Sequence, residues 1–179
     1  MRARRTAVVI GVLATVAAVA GCSTGPDVVA EVEGRTITEA DLDTVIGELG
    51  PMLADSSRGA VLTALVQSEA GLTLAEHNGI EVPDAEAEDF LTSLADSMGI
   101  EAGDWSEGSL AIARMQLLGR ELGNTVGVEE TNAQFTQALA EADVTVSPRY
   151  GEYDPATGEV VALQPDWIVD QAAGAPAAG

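Results

Sequence analysis

Residues 28–42 read VVAEVEGRTITEADL, a stretch in which short β segments lead directly into a helix. The first six residues are rich in branched apolar side chains and alternate weakly, which favours a strand. Gly34 is a turn residue, and residues 35–37 form a short return. Thr38 can cap the helix that follows, because Asp41 stands three residues later and approximates a capping box. The stretch therefore predicts a strand, a turn, a short return and a capped helix.

Apolar residues recur at helical spacing along most of the chain, which predicts a mainly α-helical body. The third of these segments has an apolar stripe that reaches Met98, and Asp84 can cap its N-terminus. The fourth segment is apolar nearly all round, so it lies either at the centre of the helices or against a partner, and we expect the centre. The expected helices cover residues 38–49, 57–77, 84–98, 109–125 and 129–141.

A second alternating segment, residues 144–147, predicts a strand far from the first in sequence. Neither strand would be stable alone, so the simplest way to satisfy their backbone groups is for them to pair. Residues 150–153 and 160–163 flank a strong turn cluster and predict a hairpin.

The expected fold class is therefore mainly α, with about five helices and a small β-sheet that pairs the N-terminal and C-terminal strands. This helical domain spans residues 28–151. Residues 152–170 are expected to form a C-terminal extension that contains the hairpin. The Ala-, Gly- and Pro-rich residues 171–179 predict a disordered tail.

Residues 1–21 have the composition of an export signal, with three arginines followed by an apolar segment shorter than the roughly 20 residues of a spanning helix. The segment ends in Val19-Ala20-Gly21-Cys22, which resembles the lipobox of bacterial lipoproteins. The resemblance implies cleavage before Cys22 and lipidation of that residue, with residues 22–27 as a tether. We expect a protein anchored by lipid on the extracytoplasmic face of the bacterial cell membrane. A membrane-spanning anchor is the alternative.

The strongly negative charge of the chain makes some classes of partner unfavourable. The part that follows the signal keeps five arginines against 29 acidic residues, a net charge of −24. Such a surface repels nucleic acid and anionic lipid headgroups, so neither is an expected partner. It could attract basic, unfolded polypeptides, although plain solubility is the simpler interpretation.

The sequence offers no catalytic, cofactor-binding or metal-binding set. With one histidine and one cysteine it has no zinc ligand set, no Cys/His dyad and no Ser/His/Asp triad. His77 is expected at a helix end, where it suits the helix dipole. No acidic segment has calcium-ligand spacing and no glycine-rich phosphate loop is present. We therefore expect no enzymatic activity and no cofactor.

Three residues are candidates for contact with a client polypeptide. Glu69 lies inside the apolar stripe of the second helix, near Arg58, so it is either partnered at the rim of that stripe or turned toward a client. Met98 and Met115 have adaptable side chains that suit a variable surface. Both methionines are equally good core residues, and the core is the interpretation we prefer for them.

Residues 28–42 also resemble the opening of the SurA N-terminal chaperone domain, which is shared with PrsA-type foldases. Residues 78–86 resemble the link that follows the second long helix of that family, and residues 128–146 resemble its closing helix and returning strand. The resemblance implies a cradle of helices that holds unfolded or partly folded exported proteins. A parvulin prolyl isomerase domain often follows in that family, but here only 28 residues follow Gly151.

The sequence thus predicts a membrane-anchored chaperone that binds unfolded or partly folded exported polypeptides without ATP, through apolar surface between its helices. The alternative is a structural or adaptor lipoprotein that docks one specific folded partner. An enzyme is a third possibility, disfavoured because no catalytic constellation is present.

Overall fold

A computed structural model of the chain describes residues 27–163. These residues form a mainly α-helical structure with a small antiparallel sheet, in agreement with the fold class expected from the sequence. The helices are α1 (Glu39–Leu49), α2 (Arg58–Asn78), α3 (Asp84–Met98), α4 (Glu107–Thr125) and α5 (Val128–Glu141). The strands are β1 (Val28–Val32), β2 (Arg35–Thr38), β3 (Val144–Val146), β4 (Glu152–Asp154) and β5 (Glu159–Val161).

The two distant strands pair, as the sequence predicts. β1 is central in a three-stranded antiparallel sheet of order β2-β1-β3, with Val32 opposite Val144 and Ala30 opposite Val146. The Ser147 amide extends the pairing by donating to the carbonyl oxygen of Val29 at 2.8 Å. The inward side chains of β1 are buried. The sheet therefore joins the segment before the helices to the segment that follows them.

The junction of β2 and α1 has the local chemistry expected from the sequence. The Thr38 hydroxyl oxygen accepts from the Asp41 amide at 3.2 Å, and the Asp41 carboxylate accepts from the Thr38 amide at 2.9 Å. Both halves of the capping box are thus present and satisfy amides that a helix N-terminus leaves without partners. α1 therefore starts at a fixed point directly after β2.

α4 is central, which confirms the expectation from its apolar sequence. It packs against α1, α2, α3 and α5. It begins at Glu107, two residues before the expected start, because the Ser106 hydroxyl caps it by accepting from the Ser109 amide. The Glu48 carboxylate of α1 accepts from the hydroxyls of Ser106 at 2.7 Å and Ser109 at 2.6 Å. This network fixes the start of α4 against α1.

α3 corrects two expectations. Asp84 is not the N-cap: Pro83 occupies that position, and Asp84 is the first helical residue and pairs with Arg114. Met98 is 49% exposed, so its expected place in the core is wrong. The reason is geometric: the inward line of α3 runs through Ala87, Leu91 and Ala95, all buried. The parallel line through Phe90, Leu94 and Met98 therefore lies at the flank of the contact.

The expected hairpin is present as β4 and β5, and it packs directly on the helices. The Gln67 side chain of α2 donates to the Gly158 carbonyl at 3.1 Å, and the Val160 amide donates to the Thr63 hydroxyl at 3.0 Å. Gly158 has a positive φ of 70° and lies so close to Leu139 that a side chain there would collide with it. The hairpin thus joins α2 to α5.

Several sequence predictions lie outside the described residues. These are the export signal of residues 1–21, the lipidation site Cys22, the tether up to residue 26, the end of the C-terminal extension and the tail of residues 171–179. Among residues 27–163, no helix combines the length and apolar composition needed to cross a membrane.

Candidate functional site: a groove along α4

The outward face of the second half of α4 is the floor of an open cleft of about 640 Å³. α2 and α5 form its sides. The apolar part of its lining comes from Met115, Val128, Phe135 and Leu139. Val128 at the start of α5 is 68% exposed, the highest exposure among the large apolar side chains of the described residues. A cleft with such walls can accept apolar groups from another molecule.

A second cleft, of about 270 Å³, continues along the first half of α4 on the side of α3. Its walls are almost entirely apolar and include Leu53 and Leu94, which are 37% and 36% exposed. Gln116 lines both clefts, so they meet at this residue. We call the two together the α4 groove. From Ile112 to Gly123 its floor is roughly 17 Å long at 1.5 Å per helical residue.

Two glycines, Gly119 and Gly123, form part of the floor in the larger cleft. A Cβ at Gly119 would lie 3.8 Å from the Phe135 ring, an ordinary contact, and one at Gly123 would meet nothing within 4 Å. Glycine inside a helix costs roughly 0.5–1 kcal/mol relative to alanine. The packing of the described residues therefore gives no reason for glycine at position 123, whereas close approach of a ligand would.

The polar lining of the larger cleft consists of amides and one cation. Gln67, Gln116 and Asn124 carry amide side chains, each able to donate and to accept hydrogen bonds. Arg120 also lines the cleft, and its guanidinium lies 5.3 Å from the centre of the Phe90 ring. Since Phe90 lines the second cleft, Arg120 stands beside the junction of the two.

Arg120 differs from the other arginines of the described residues. Its guanidinium forms no salt bridge with a carboxylate of residues 27–163, although it stacks on Phe90. The other four each pair with at least one carboxylate. The pairs are Arg35 with Glu69, Arg58 with Glu39 and Asp43, Arg114 with Asp84 and Glu107, and Arg149 with Glu39.

Of the three candidate client-binding residues, only Met115 lies in the α4 groove. Met115 lines the α4 groove, half-buried, with its Cγ 3.3 Å from where a Cβ of Gly71 would lie. Met98 lies at the exposed end of α3 and does not line either cleft. Glu69 does not line either cleft, and its carboxylate accepts from Arg35 at 2.9 Å.

The partner of Glu69 is thus Arg35 and not the nearby Arg58. β1 packs against α2 and carries β2, with Arg35, beside the helix. With 15% of its side chain exposed and a cationic partner, Glu69 fits the alternative of a carboxylate paired at the rim of an apolar stripe. This contact joins residues 34 positions apart, which no local pattern in the sequence reveals.

Met115 is the one lining residue of the larger cleft that the sequence suggested as a client contact. The others are Gln67, Gln116, Gly119, Arg120, Gly123, Asn124, Val128, Phe135 and Leu139. One signal for them was present. Residues 116, 120 and 124 of α4 repeat at a spacing of four and put polar side chains on one line of an otherwise apolar helix. That line is the floor of the groove.

The Tyr153 side chain lies beside the groove and contacts Leu139 of its lining. The Tyr153 hydroxyl of β4 donates to the carbonyl oxygen of Leu139 at 2.7 Å, and burial together with the charge of Asp154 raises the pKa of Tyr153. His77 is exposed in the last turn of α2. Across residues 27–163, no group of three or more His, Cys, Asp or Glu side chains is placed to hold a metal ion.

Comparisons with known proteins assign no family to the chain. No protein-family model, curated protein or solved structure matches it. The chemistry of the α4 groove, an apolar trough with amides and one arginine, is therefore the basis for the function proposed below.

Proposed function

We propose that this protein is a chaperone of exported proteins, held on the extracytoplasmic face of the cell membrane by lipid on Cys22. It binds unfolded or partly folded polypeptides in the α4 groove and needs no ATP. The observation that carries the proposal is the pair of apolar clefts that meet at Gln116 along the outward face of α4. The resemblance of residues 28–42 to the SurA N-terminal domain points in the same direction.

The dimensions of the groove suit a short client segment. An extended chain rises about 3.3 Å per residue, so a floor of roughly 17 Å accommodates about five residues. Burial of one large apolar side chain contributes about 1.5–3 kcal/mol, and the loss of freedom on association offsets much of the total. The complex would therefore be weak and reversible, as a chaperone without an energy source requires.

The lining can receive many sequences. The Met115 side chain is flexible and polarizable, so it adapts to apolar groups of different shape. The amides of Gln67, Gln116 and Asn124 can pair with the peptide groups of a client, which are common to all sequences. A groove of this kind would cover exposed apolar segments and slow their aggregation.

The acidic surface and the anchor complement the groove. The net charge of −24 after the signal keeps the protein soluble when an apolar client is bound and repels anionic headgroups. Lipid on Cys22 would place the domain where exported chains emerge. Stable attachment requires more than one acyl chain, in line with the modification that the lipobox resemblance implies.

The proposal is tested by aggregation of a chemically unfolded client, followed by light scattering, with the mature protein produced without lipid. We expect suppression at near-stoichiometric ratio and a clear loss of suppression in Val128→Asp, which puts a charge on the wall of the groove. Val161→Asp is the matched control, because Val161 is also an exposed valine, at 50%, and does not line the groove.

Equal suppression by both variants would remove the groove from the mechanism. No suppression of several unrelated clients by the unmodified protein would remove the chaperone function itself. A tight, saturable complex with one folded protein, isolated from membranes, would then favour the adaptor function.

A further inference from the structure

The α4 groove differs in charge from the rest of the molecule. The chain has 29 acidic residues, and all except Asp166 and Asp170 lie among the described residues. None of them lines the larger cleft, and none lines the smaller one. The single charged side chain of the larger cleft is Arg120, which lacks a carboxylate partner among residues 27–163.

We propose that the groove selects apolar segments that carry an aspartate or glutamate, and that Arg120 recognises that carboxylate. The inference rests on the chaperone function proposed above and names its substrate class. It runs against the expectation from net charge, which favours basic clients. A segment that spans both clefts must pass Arg120, because Arg120 lines one cleft and stacks on Phe90 of the other.

We expect contact within the groove to outweigh the general field of the acidic surface. At physiological ionic strength the Debye length is about 8 Å, so carboxylates on faces away from the groove and its adjoining clefts act weakly on a bound segment. In the groove itself no carboxylate of the described residues forms the lining, although Glu81, Glu86 and Glu121 line an adjoining cleft that shares Arg120 and Asn124 with it. A basic residue in the groove would therefore meet Arg120 directly. An acidic residue would meet the guanidinium, whose N–H donors lie in its plane and stay available when its face stacks on Phe90.

The expected selectivity is modest, because Arg120 is exposed. An exposed ion pair changes affinity by about two- to fivefold, which is a preference among clients and not an absolute requirement. Such a preference leaves the apolar contacts as the main source of binding. Substrates would be exported chains whose apolar segments are flanked by acidic residues.

The test is fluorescence anisotropy of three labelled peptides with the full mature chain. The peptides share one apolar core of five residues and are flanked on both sides by aspartate, asparagine or arginine. We expect the affinity order aspartate, asparagine, arginine, with about two- to fivefold between the first and the second. The difference should shrink as salt is raised, because screening weakens the ion pair.

Two charge reversals separate the groove from the overall field. Arg120→Glu should abolish or invert the order of the three peptides. Arg149→Glu changes the net charge by the same amount, at an exposed arginine that pairs with Glu39 and does not line the groove, and should keep the order. The inference is overturned if arginine-flanked peptides bind more tightly, or if both variants behave alike.

The result also distinguishes this inference from the proposed function. Equal binding of all three peptides would leave the chaperone function intact and overturn the selectivity. Absence of binding by all three would overturn both.

The chain itself contains an apolar triplet between two acids, Asp166 to Asp170. If Asp166→Asn with Asp170→Asn tightened peptide binding severalfold, this segment would be the resident occupant, and the commitment to a separate polypeptide would be wrong.

Discussion

The two halves of α4 belong to one helix but have different surroundings. In the first half, Ser109, Leu110, Ala111, Ile112 and Ala113 are all buried. In the second half, Leu118 and Leu122 face the interior, whereas Gln116 and Arg120 on the opposite side are exposed above an open cleft. The helix is thus mostly enclosed over residues 109–113, where only Ile112 and Ala113 reach the smaller cleft, and it is open along one side from Gln116 onward.

The difference follows from what each half packs against. α1 lies on the first half and contributes both apolar contact and the Glu48 carboxylate that holds Ser106 and Ser109. No described element covers the outward face of the second half as α1 covers the first. A central helix therefore provides stability and a binding surface at once, mainly on different sides of the helix. Three substitutions test this division.

The largest effect is expected for the inward side of the open half, at Leu122. This side chain is 1% exposed and packs with Leu74, Ala75 and Leu118. Leu122→Ala should lower the free energy of unfolding by about 2–5 kcal/mol, because it removes buried methyl groups and leaves a cavity. Urea unfolding followed by circular dichroism at 222 nm measures the change.

The matched substitution on the outer side is Val128→Ala, which should change the stability by no more than about 0.5 kcal/mol because Val128 is 68% exposed. Similar losses for the two variants would mean that the open side of α4 is covered in solution. The buried inward side of α4 and the exposed wall of the groove would then not differ in their contribution to stability.

The next effect concerns the enclosed half, at Gly108. A Cβ there would lie 2.7 Å from Val45 Cγ2 and 3.1 Å from Leu65 Cδ2, and both of these side chains are buried. Overpacking of a core costs about 1–3 kcal/mol, and the better helix propensity of alanine offsets up to about 1 of this. Gly108→Ala should therefore lower the free energy of unfolding by roughly 1–2 kcal/mol, again by urea titration.

Gly59→Ala in the first turn of α2 is the control, because a Cβ at position 59 meets nothing within 4 Å. A Gly108→Ala protein as stable as the Gly59→Ala protein would show that α1 and α4 can move apart. The close approach of the two helices would then not define the enclosed half.

Local chemistry made much of this fold predictable. The capping box at Thr38 depends on side chains three residues apart, and the pairing of β1 with β3 follows from two strands that cannot remain unpaired. The central position of α4 follows from its composition. In each case the sequence itself contains the physical reason for the structure.

The groove was less predictable because it depends on which elements lie beside one another. The apolar pattern of α4 indicates burial but not which side is left open, since that depends on where α1 ends and where α5 lies. The same limit explains Met98, which misses the core because α3 turns a neighbouring line inward. It also explains Glu69, whose partner Arg35 comes from a strand.

The smallest effect has the opposite sign and concerns the floor of the groove at Gly123. Gly123→Ala should raise the free energy of unfolding by about 0.5–1 kcal/mol, because it removes the conformational cost of glycine in a helix and its Cβ meets nothing within 4 Å. That Cβ occupies space which a bound segment would use. The affinity for an aspartate-flanked peptide should therefore fall about two- to fivefold, a loss of roughly 0.5–1 kcal/mol.

A protein that gains stability while it loses affinity cannot owe the loss to unfolding, so this variant isolates the role of the groove floor more cleanly than any destabilising change. Gains in both quantities would mean that bound segments do not reach position 123 and that the glycine needs another explanation. A gain in stability alone would place the client in the smaller cleft, between α3 and α4. Such a trade of binding against stability is expected where a functional surface keeps a residue that costs the helix stability.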